Sequence, residues 1–182
     1  MKKSRFKPPK RALFIGRFQP FHHGHHYAIR KLLKKFREVV IVMGSSEDSF
    51  SPENPFTCGE RLEMMRACFS KSDMARIIIV PVPDVNDNRI WVDHVFGHIP
   101  TVNEVYSNNQ LVKMLFSKHG ILVKQVDFYD RGPKEGSHIR KMMAEGDRGW
   151  TNHVPPKAVE VLDAIEAEER IKKLVRMGAR HI

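Results

Sequence analysis

The feature that most constrains the fold of this chain is the alternation of short apolar runs with segments of helical periodicity. The apolar run Ala12–Ile15 predicts a buried strand, because a strand covered on both faces carries no polar positions. After a loop comes an apolar stripe at positions i, i+3, i+4 and i+7 of a helix, formed by Ile29, Leu32, Leu33 and Phe36. This strand-then-helix unit recurs about five times along the chain.

Further strands and helices follow the same pattern. Four more strands are predicted, at Val39–Met43, Ile77–Val80, Val102–Tyr106 and Val123–Phe128. Thr57 and Glu60 have the spacing of a capping box, which predicts the start of a helix with an apolar stripe of Leu62, Met65 and Phe69. Shorter helices are predicted over residues 90–98 and Leu111–Lys118.

The C-terminal part of the chain is predicted to be helical. Ser137 is predicted to cap a helix that ends near Glu145. The pair Pro155–Pro156 then opens one long helix, because proline is favoured in a first helical turn. The inner face of that helix is predicted to be Val159, Leu162, Ile165, Ile171 and Leu174.

These elements predict a single α/β domain over residues 11–182. It is expected to be a doubly wound, Rossmann-like parallel sheet with helices on both faces, plus the C-terminal helix. Sheets of this kind bind ligands at the carboxyl ends of their strands, near a reversal of strand order. The loops that follow the strands are therefore where we expect the chemistry.

Residues 1–10 are predicted to form a basic, flexible tail, because Pro8 and Pro9 favour extended chain. The formal net charge of +10 is concentrated in residues 1–11, which hold six bases and no acid: Lys2, Lys3, Arg5, Lys7, Lys10 and Arg11. Such a tail is usually solvated, so we do not expect nucleic acid to be the main partner. The apolar runs fall short of the roughly 20 residues of a membrane helix, and we expect a cytoplasmic protein. Cys58 and Cys68 are expected to be buried hydrophobes rather than a disulfide.

The loop after the first strand carries the strongest chemical signal. It reads Gly16-Arg17-Phe18-Gln19-Pro20-Phe21-His22-His23-Gly24-His25. His22 and His25 are three residues apart at a helix start, so both rings can lie on one side of the first turn. Gly24 lets a phosphate approach the backbone, and free N–H groups favour an anion there. The imidazoles and Arg17 can donate hydrogen bonds to phosphate oxygens, so the loop predicts a phosphate cradle.

A metal site is the main alternative for this histidine cluster. His22 and His26 form an i, i+4 pair that could supply two zinc ligands. No acid or cysteine lies near them in sequence to complete the shell, so we favour phosphate binding and predict no protein-held metal.

The sequence His22-His23-Gly24-His25 matches the (H/T)xGH motif of the nucleotidyltransferase superfamily. The longer string from Gly16 to His25 resembles the archaeal-type nicotinamide mononucleotide (NMN) adenylyltransferases, and the similarity extends from about Leu13 to Arg170. A second phosphate motif of that family, Ser/Thr followed three residues later by Arg, corresponds to Ser137 and Arg140. A plain helix cap with a surface arginine is the alternative for this second segment.

The resemblance implies a reaction and a set of site residues. It implies direct in-line transfer of AMP from ATP to NMN, giving NAD and pyrophosphate, with Mg²⁺ held mainly by the ATP phosphates. The implied catalytic residues are His22, His25, Arg17 and Arg140. The implied ATP-binding residues are Gly16, Arg17, Phe18, His22, Gly24, His25, Gly136, Ser137 and Arg140. It also implies a hexamer or another homo-oligomer.

Residues for the acceptor are implied in the loop after the third strand. Positions matching Asp84, Asn88 and Trp91 meet NMN in the family. The physics agrees, because a cationic pyridinium suits an indole face and a carboxamide needs donors and acceptors. A core aromatic is the alternative for Trp91. The segment Tyr106–Asn109, similar to the family's YSxN segment, is expected to line the nucleotide site.

Some features were left open by the sequence. The segment Asn54–Arg61 resembles the family's NPFTAGER, and Arg61 is either a salt-bridge partner or a site residue. The loop Ser45–Asn54 holds Glu47, Asp48 and Glu53 but no base, so its contribution to ATP binding stays open. Phosphopantetheine or FMN are alternative acceptors for the same chemistry. A non-catalytic nucleotide- or RNA-binding module is the alternative from another class.

Overall fold

The structure, a computed structural model, describes residues 7–126 and 136–178. Its five strands are β1 (Arg11–Gly16), β2 (Glu38–Met43), β3 (Ile77–Pro81), β4 (Glu104–Tyr106) and β5 (Val123–Lys124). They form one sheet in the order β3-β2-β1-β4-β5, and every neighbouring pair is parallel. The chain builds outward from β1 to β3 and then returns to the other side of β1. The predicted doubly wound α/β fold is thereby confirmed, and its strand order reverses between β1 and β4.

The described helices connect the strands and extend beyond the sheet. They are α1 (His23–Lys35), α2 (Cys58–Ala67), α3 (Lys71–Met74), α4 (Trp91–His98), α5 (Gln110–Lys118), α6 (Gly136–Glu145), α7 (Pro156–Ala164) and α8 (Ala167–Gly178). A 3₁₀-helix spans Arg148–His153. None of the helices described is long and apolar enough to span a membrane.

Alternating residues of the central strands build two cores, one on each face of the sheet. On β1, Phe14 faces the core that α1, α2, α6, α7 and α8 cover. Its neighbours Leu13 and Ile15 face the second core, which α4 and α5 cover. Both faces of the central strands are thus withdrawn from water, which explains their continuous apolar sequence. Burying each such side chain contributes about 1.5–3 kcal/mol.

Two predicted helix boundaries were wrong. The single long C-terminal helix is two helices, because Glu166 between α7 and α8 has a φ of 53°, which a right-handed helix does not allow. Leu174 is only half-buried, whereas Ala167 takes part in the core. Ser137 is not the cap of its helix, since α6 already begins at Gly136, and its side chain is exposed.

Other predicted elements have the predicted type, helix or strand, but some begin or end at different residues. The capping box at Thr57 and Glu60 is confirmed, with both reciprocal hydrogen bonds present. Strand β4 begins at Glu104 rather than at Val102. The described part of β5 is Val123–Lys124, and the predicted strand residues Asp127 and Phe128 lie outside the described residues. Cys58 and Cys68 are both free thiols.

Candidate active site

An open cleft of roughly 430 Å³ lies at the carboxyl ends of β1 and β4, where the strand order reverses. Three segments line it: the loop that follows β1, the residues that follow β4, and the first turn of α6. Its position is the one that parallel sheets use for ligands, since loops diverge there and leave a crevice. A larger concave surface, about 520 Å³, lies against the outer face of α1 and holds none of the predicted site residues.

All nine residues expected to bind ATP line the cleft. They come from two segments that are far apart in sequence, one from the end of β1 to the start of α1 and the other at the start of α6. They are Gly16, Arg17, Phe18, His22, Gly24, His25, Gly136, Ser137 and Arg140. The fold therefore brings together the two segments that the sequence singled out. What they bind stays a prediction.

The rings of His22 and His25 lie on the same side of the first turn of α1, as the sequence predicted. Their centroids are 3.6 Å apart and their planes are 23° apart, so the imidazoles stack. His22 is the N-cap, and its Nδ1 accepts a hydrogen bond of 3.4 Å from the backbone N–H of His25. A Cβ on Gly24 would lie 3.0 Å from the His22 ring. The absence of a side chain at Gly24 thus leaves room for the imidazole of His22.

His25 is surrounded by aromatic rings. The centroids of Phe18, Phe21 and Phe14 lie 4.7, 5.9 and 6.4 Å from the centroid of its imidazole. This burial lowers the pKa of His25 well below its usual value, and the neighbouring His22 lowers it further. His25 is therefore neutral near pH 7 in the free protein.

Two buried polar atoms in the cleft have no hydrogen-bond partner. They are Nδ1 of His25 and Oδ1 of Asn108, and among the residues that the structure describes no other buried side-chain nitrogen or oxygen is in this state. Buried polar atoms are nearly always paired, because an unmade hydrogen bond costs about 1–3 kcal/mol. Both exceptions lie in the same cleft, which indicates that a ligand completes it.

The guanidinium groups of Arg17 and Arg140 add positive charge to the cleft. Arg140 Nη1 donates to the carbonyl oxygen of Gln19 at 2.7 Å, and its Nε donates to that of Pro52 at 3.1 Å. Arg17 Nη1 lies 3.5 Å from Oδ1 of Asn54. Burial lowers the pKa of Arg140, and the like charge of Arg17 lowers it further. Two guanidinium groups near each other favour a polyanionic ligand between them.

Gln19 joins the loop after β1 to the rest of the site, a role that the sequence did not reveal. Its side-chain Nε2 donates to the carbonyl oxygen of Phe56 at 2.9 Å, and its Oε1 accepts from the Phe56 N–H at 3.0 Å. A Cβ on Gly136 would lie 2.6 Å from the carbonyl oxygen of Gln19. The start of α6 therefore approaches this loop closely because residue 136 has no side chain. A glutamine inside an otherwise apolar stretch was the only available signal.

Arg61 is neither of the two alternatives that the sequence left open. It is fully buried, does not line the cleft, and makes no ion pair with any carboxylate of the described residues. Its guanidinium donates to the carbonyl oxygens of Arg17, Gly44 and Ser45 at 3.0, 2.9 and 2.9 Å. Arg61 thus holds together the backbone at the ends of β1 and β2.

The residues expected to meet the acceptor lie outside the cleft itself. Asp84 and Asn88 are exposed in the loop after β3, and Oδ2 of Asp84 accepts a hydrogen bond of 2.6 Å from Ser45 Oγ. Trp91 opens α4, is half-buried, and meets the ring of Phe116 edge-on at 6.0 Å. This contact joins Trp91 to the second core, as the alternative interpretation proposed. The three residues share the carboxyl edge of the sheet with the cleft but do not converge on it.

The residues after β4 include cleft-lining side chains, as expected for the segment Tyr106–Asn109. Ser107, Asn108 and Asn109 line the cleft, whereas Tyr106 does not line it and packs in the first core. Oδ1 of Asn109 also caps α5, accepting from the N–H groups of Leu111 and Val112. In the described ranges, no group of three or more His, Cys, Asp or Glu side chains could hold a metal ion.

Comparison with known proteins gives a consistent family. The model of a family described as cytidylyltransferase-like matches residues 13–142. Nicotinamide-nucleotide adenylyltransferases from Caldivirga maquilingensis and Methanolobus tindarius are 38% and 41% identical to this chain, over 91% of it in both cases and 94% of each relative. A bifunctional NMN adenylyltransferase/ADP ribose pyrophosphatase from Francisella tularensis, solved with AMP and a manganese ion, has a similar fold (TM-score 0.73, 22% identity). That match covers 95% of this chain and 54% of the other, so this chain spans about half of its length.

Proposed function

This chain belongs to the cytidylyltransferase-like family, and we propose that it is a nicotinamide-nucleotide adenylyltransferase that converts ATP and NMN to NAD and pyrophosphate. One observation carries the site assignment: two helix starts, both aimed at one cleft, surround the unpartnered Nδ1 of His25. The neutral imidazole of His25, the ring of His22, two guanidinium groups and helix N-termini are the donors that a triphosphate needs.

The reaction we propose is a direct displacement. An oxygen of the NMN phosphate attacks the α-phosphorus of ATP, and the bond from that phosphorus to the bridging oxygen of pyrophosphate breaks. Neither a covalent enzyme intermediate nor a strong base is required, since the attacking phosphate is already an anion. Catalysis then consists of positioning the reactants and stabilising the negative charge that develops in the transition state.

Each cleft residue has a role in this proposal. His22 and His25 donate to the α- and β-phosphates as charge builds. Arg17 and Arg140 hold the β- and γ-phosphates, and Arg140 exchanges its present carbonyl partners for phosphate oxygens. Gly16, Phe18 and Gly24 shape the loop, and the backbone N–H groups of Gly136 and Ser137 face the same phosphates. Mg²⁺ would be held by the ATP phosphates rather than by protein side chains, and it would supply positive charge against the phosphate oxygens.

The acceptor site is proposed for the loop after β3. Asp84, Asn88 and Trp91 lie at the same sheet edge as the cleft, and Ser45 links Asp84 to the backbone that Arg61 holds. An indole at the start of α4 can take a pyridinium ring on its face, with its other contacts to Phe116 kept. The identity of the relatives over most of this chain favours NMN over phosphopantetheine or FMN as acceptor.

An acceptor panel tests this proposal. The protein is incubated with MgATP and, in separate reactions, with NMN, phosphopantetheine or FMN, and pyrophosphate release is measured. We expect NMN to give the highest kcat/KM, with NAD as product. A higher kcat/KM with another acceptor would support adenylyl transfer but show that NMN is not the substrate. Salt-sensitive RNA binding without pyrophosphate release would instead identify the non-catalytic module. The homo-oligomer that the resemblance implies stays a prediction.

A further inference from the structure

We propose that Asn108 contacts the substrate directly, and that its side-chain amide oxygen accepts a hydrogen bond from an N–H or O–H group of a bound nucleotide. This inference rests on the proposed function, and it adds to the proposed site a residue that recognises one hydrogen-bond donor of the substrate. Asn108 is the second residue after β4, the strand beside β1 at the reversal of strand order, and it lines the cleft.

The residues on either side of Asn108 make the hydrogen bonds that hold this turn. Ser107 Oγ donates to the carbonyl oxygen of Ile15 at 3.4 Å and accepts from the Asn109 N–H at 3.2 Å. Asn109 Oδ1 accepts from the N–H of Leu111 at 2.8 Å and caps α5. The local structure is therefore already satisfied without the side chain of Asn108.

The Oδ1 atom of Asn108 is buried and has no hydrogen-bond partner. An acceptor in that condition destabilises the free protein, because water has been removed from it and nothing has replaced the water. A side chain that the local structure does not need, and that costs stability, has an explanation if a ligand supplies the missing donor. Functional sites are where proteins retain such locally unfavourable groups.

The missing donor can come from either substrate. ATP offers the 6-amino group of adenine and the ribose hydroxyls, and NMN offers its carboxamide N–H and its own hydroxyls. All share one chemistry, a neutral donor that an amide oxygen accepts. Sites that pair a substrate donor with a buried acceptor discriminate strongly against analogues without it.

The first test replaces the amide by an apolar group of similar size. We expect Asn108→Leu to lower kcat/KM for one of the two substrates about tenfold, the effect of losing one hydrogen bond. The thermal midpoint of the ligand-free variant should equal or exceed that of the wild type, because the unpartnered acceptor has been removed.

The matched control makes the same substitution at the opposite end of β4. Asn103 Oδ1 accepts a hydrogen bond of 2.8 Å from the Arg11 N–H, away from the cleft. Asn103→Leu should therefore lower the thermal midpoint and leave kcat/KM unchanged. A purely structural role for Asn108 would give Asn108→Leu this same pattern, and that result would overturn the proposal.

Substrate analogues identify the donor. The panel contains purine riboside triphosphate, 2′-deoxy-ATP and 3′-deoxy-ATP in place of ATP, and nicotinic acid mononucleotide, 2′-deoxy-NMN and 3′-deoxy-NMN in place of NMN. The wild type should use the analogue without the relevant donor about tenfold less well, and Asn108→Leu should show no further loss with it. If every analogue lowered kcat/KM by the same factor in Asn108→Leu as in the wild type, direct contact would be contradicted.

A failure of the proposed function has a different signature. A wild-type protein that forms no NAD would refute the acceptor, whatever the result for Asn108. In that case, calorimetry measures the dissociation constants of ATP and its analogues for the wild type and for Asn108→Leu. If the wild type binds one analogue more weakly than ATP and Asn108→Leu binds the two equally, the assignment is supported. If the dissociation constants of the wild type and the variant are identical for every nucleotide, it is refuted.

Discussion

His25 shows how a single side chain can be prepared for charge that is not yet present. Three phenylalanine rings and the ring of His22 surround its imidazole, and burial lowers its pKa so that the ring is neutral. A neutral imidazole still donates through one ring nitrogen, and its low-dielectric surroundings strengthen that hydrogen bond. The same ring would cost far more to bury as a cation. The environment thus selects a donor that needs no counter-ion before ATP arrives.

Replacing this ring should therefore cost activity more than structure. We expect His25→Ala to lower kcat at least about tenfold, because one donor to the transition state is lost. Steady-state NAD formation measures the effect, and circular dichroism checks the fold. His26→Ala is the matched control, since His26 lies next along α1, packs on Phe69 and does not line the cleft. Wild-type turnover in a folded His25→Ala protein would remove His25 from the mechanism.

At the scale of elements, the cleft depends on contacts that join loops to helices. Arg61 extends from α2 to the backbone at the ends of β1 and β2. Arg170 on α8 forms a two-pronged ion pair with Glu60 on α2, with both distances 2.7 Å. Glu60 is also the acidic member of the capping box, so α8 stabilises the start of the helix that carries Arg61. Several elements that do not line the cleft thus hold its walls in place.

Removing the guanidinium of Arg61 should destabilise the whole domain. Arg61→Met keeps the length of the side chain but leaves three buried or partly buried carbonyl oxygens without their donor, each at about 1 kcal/mol or more. We therefore expect the free energy of unfolding to fall by about 3 kcal/mol, measured by urea denaturation. Arg66→Met, on the exposed side of the same helix, should change it by less than about 0.5 kcal/mol. Equal effects of the two substitutions would show that the Arg61 contacts add no stability.

At the scale of the whole molecule, the candidate cleft and the ion-pair cluster of Glu104 lie at opposite ends of the sheet. The cleft lies at the carboxyl ends of the strands, whereas Glu104 begins β4 at the other end. The carboxylate of Glu104 accepts hydrogen bonds from Lys124, Tyr106 and Lys35, and these contacts lower its pKa to about 2. It thereby joins α1, β4 and β5.

This carboxylate predicts a particular response of stability to acid. Because the folded-state pKa of Glu104 is depressed, its contribution is complete above its unfolded pKa, about 4.5, and is lost as pH falls towards about 2. Glu104→Gln should lower the free energy of unfolding at pH 7 by about 1 kcal/mol or less, as for exposed ion pairs. The difference between the variant and the wild type should shrink below pH 4.5 and also at high salt. A constant difference at every pH would contradict the ionic origin.

Much of the fold was predictable because its signals are local. Both central strands and α1 were read from apolar runs and periodicity, and the capping box located the start of α2 from two residues. The break at Glu166 carried no glycine or proline, so the local pattern continued through it as one helix. Ser137 was misplaced because a serine cap and a serine in the first turn have the same sequence signature. Helix ends depend on contacts that the local sequence does not contain.

The chain's own sequence determined the strand-and-helix alternation and the family, and it predicted a phosphate-binding first loop, since these depend on neighbouring residues and on shared motifs. Only the tertiary structure decided which distant residues share the cleft, that Gln19 and Arg61 act on the backbone of other segments, and that Asn108 has an unpartnered oxygen. The physical reason is that burial and hydrogen-bond pairing are properties of three-dimensional neighbours. A polar side chain has no defined partner, or lack of one, until the sheet order places other groups beside it.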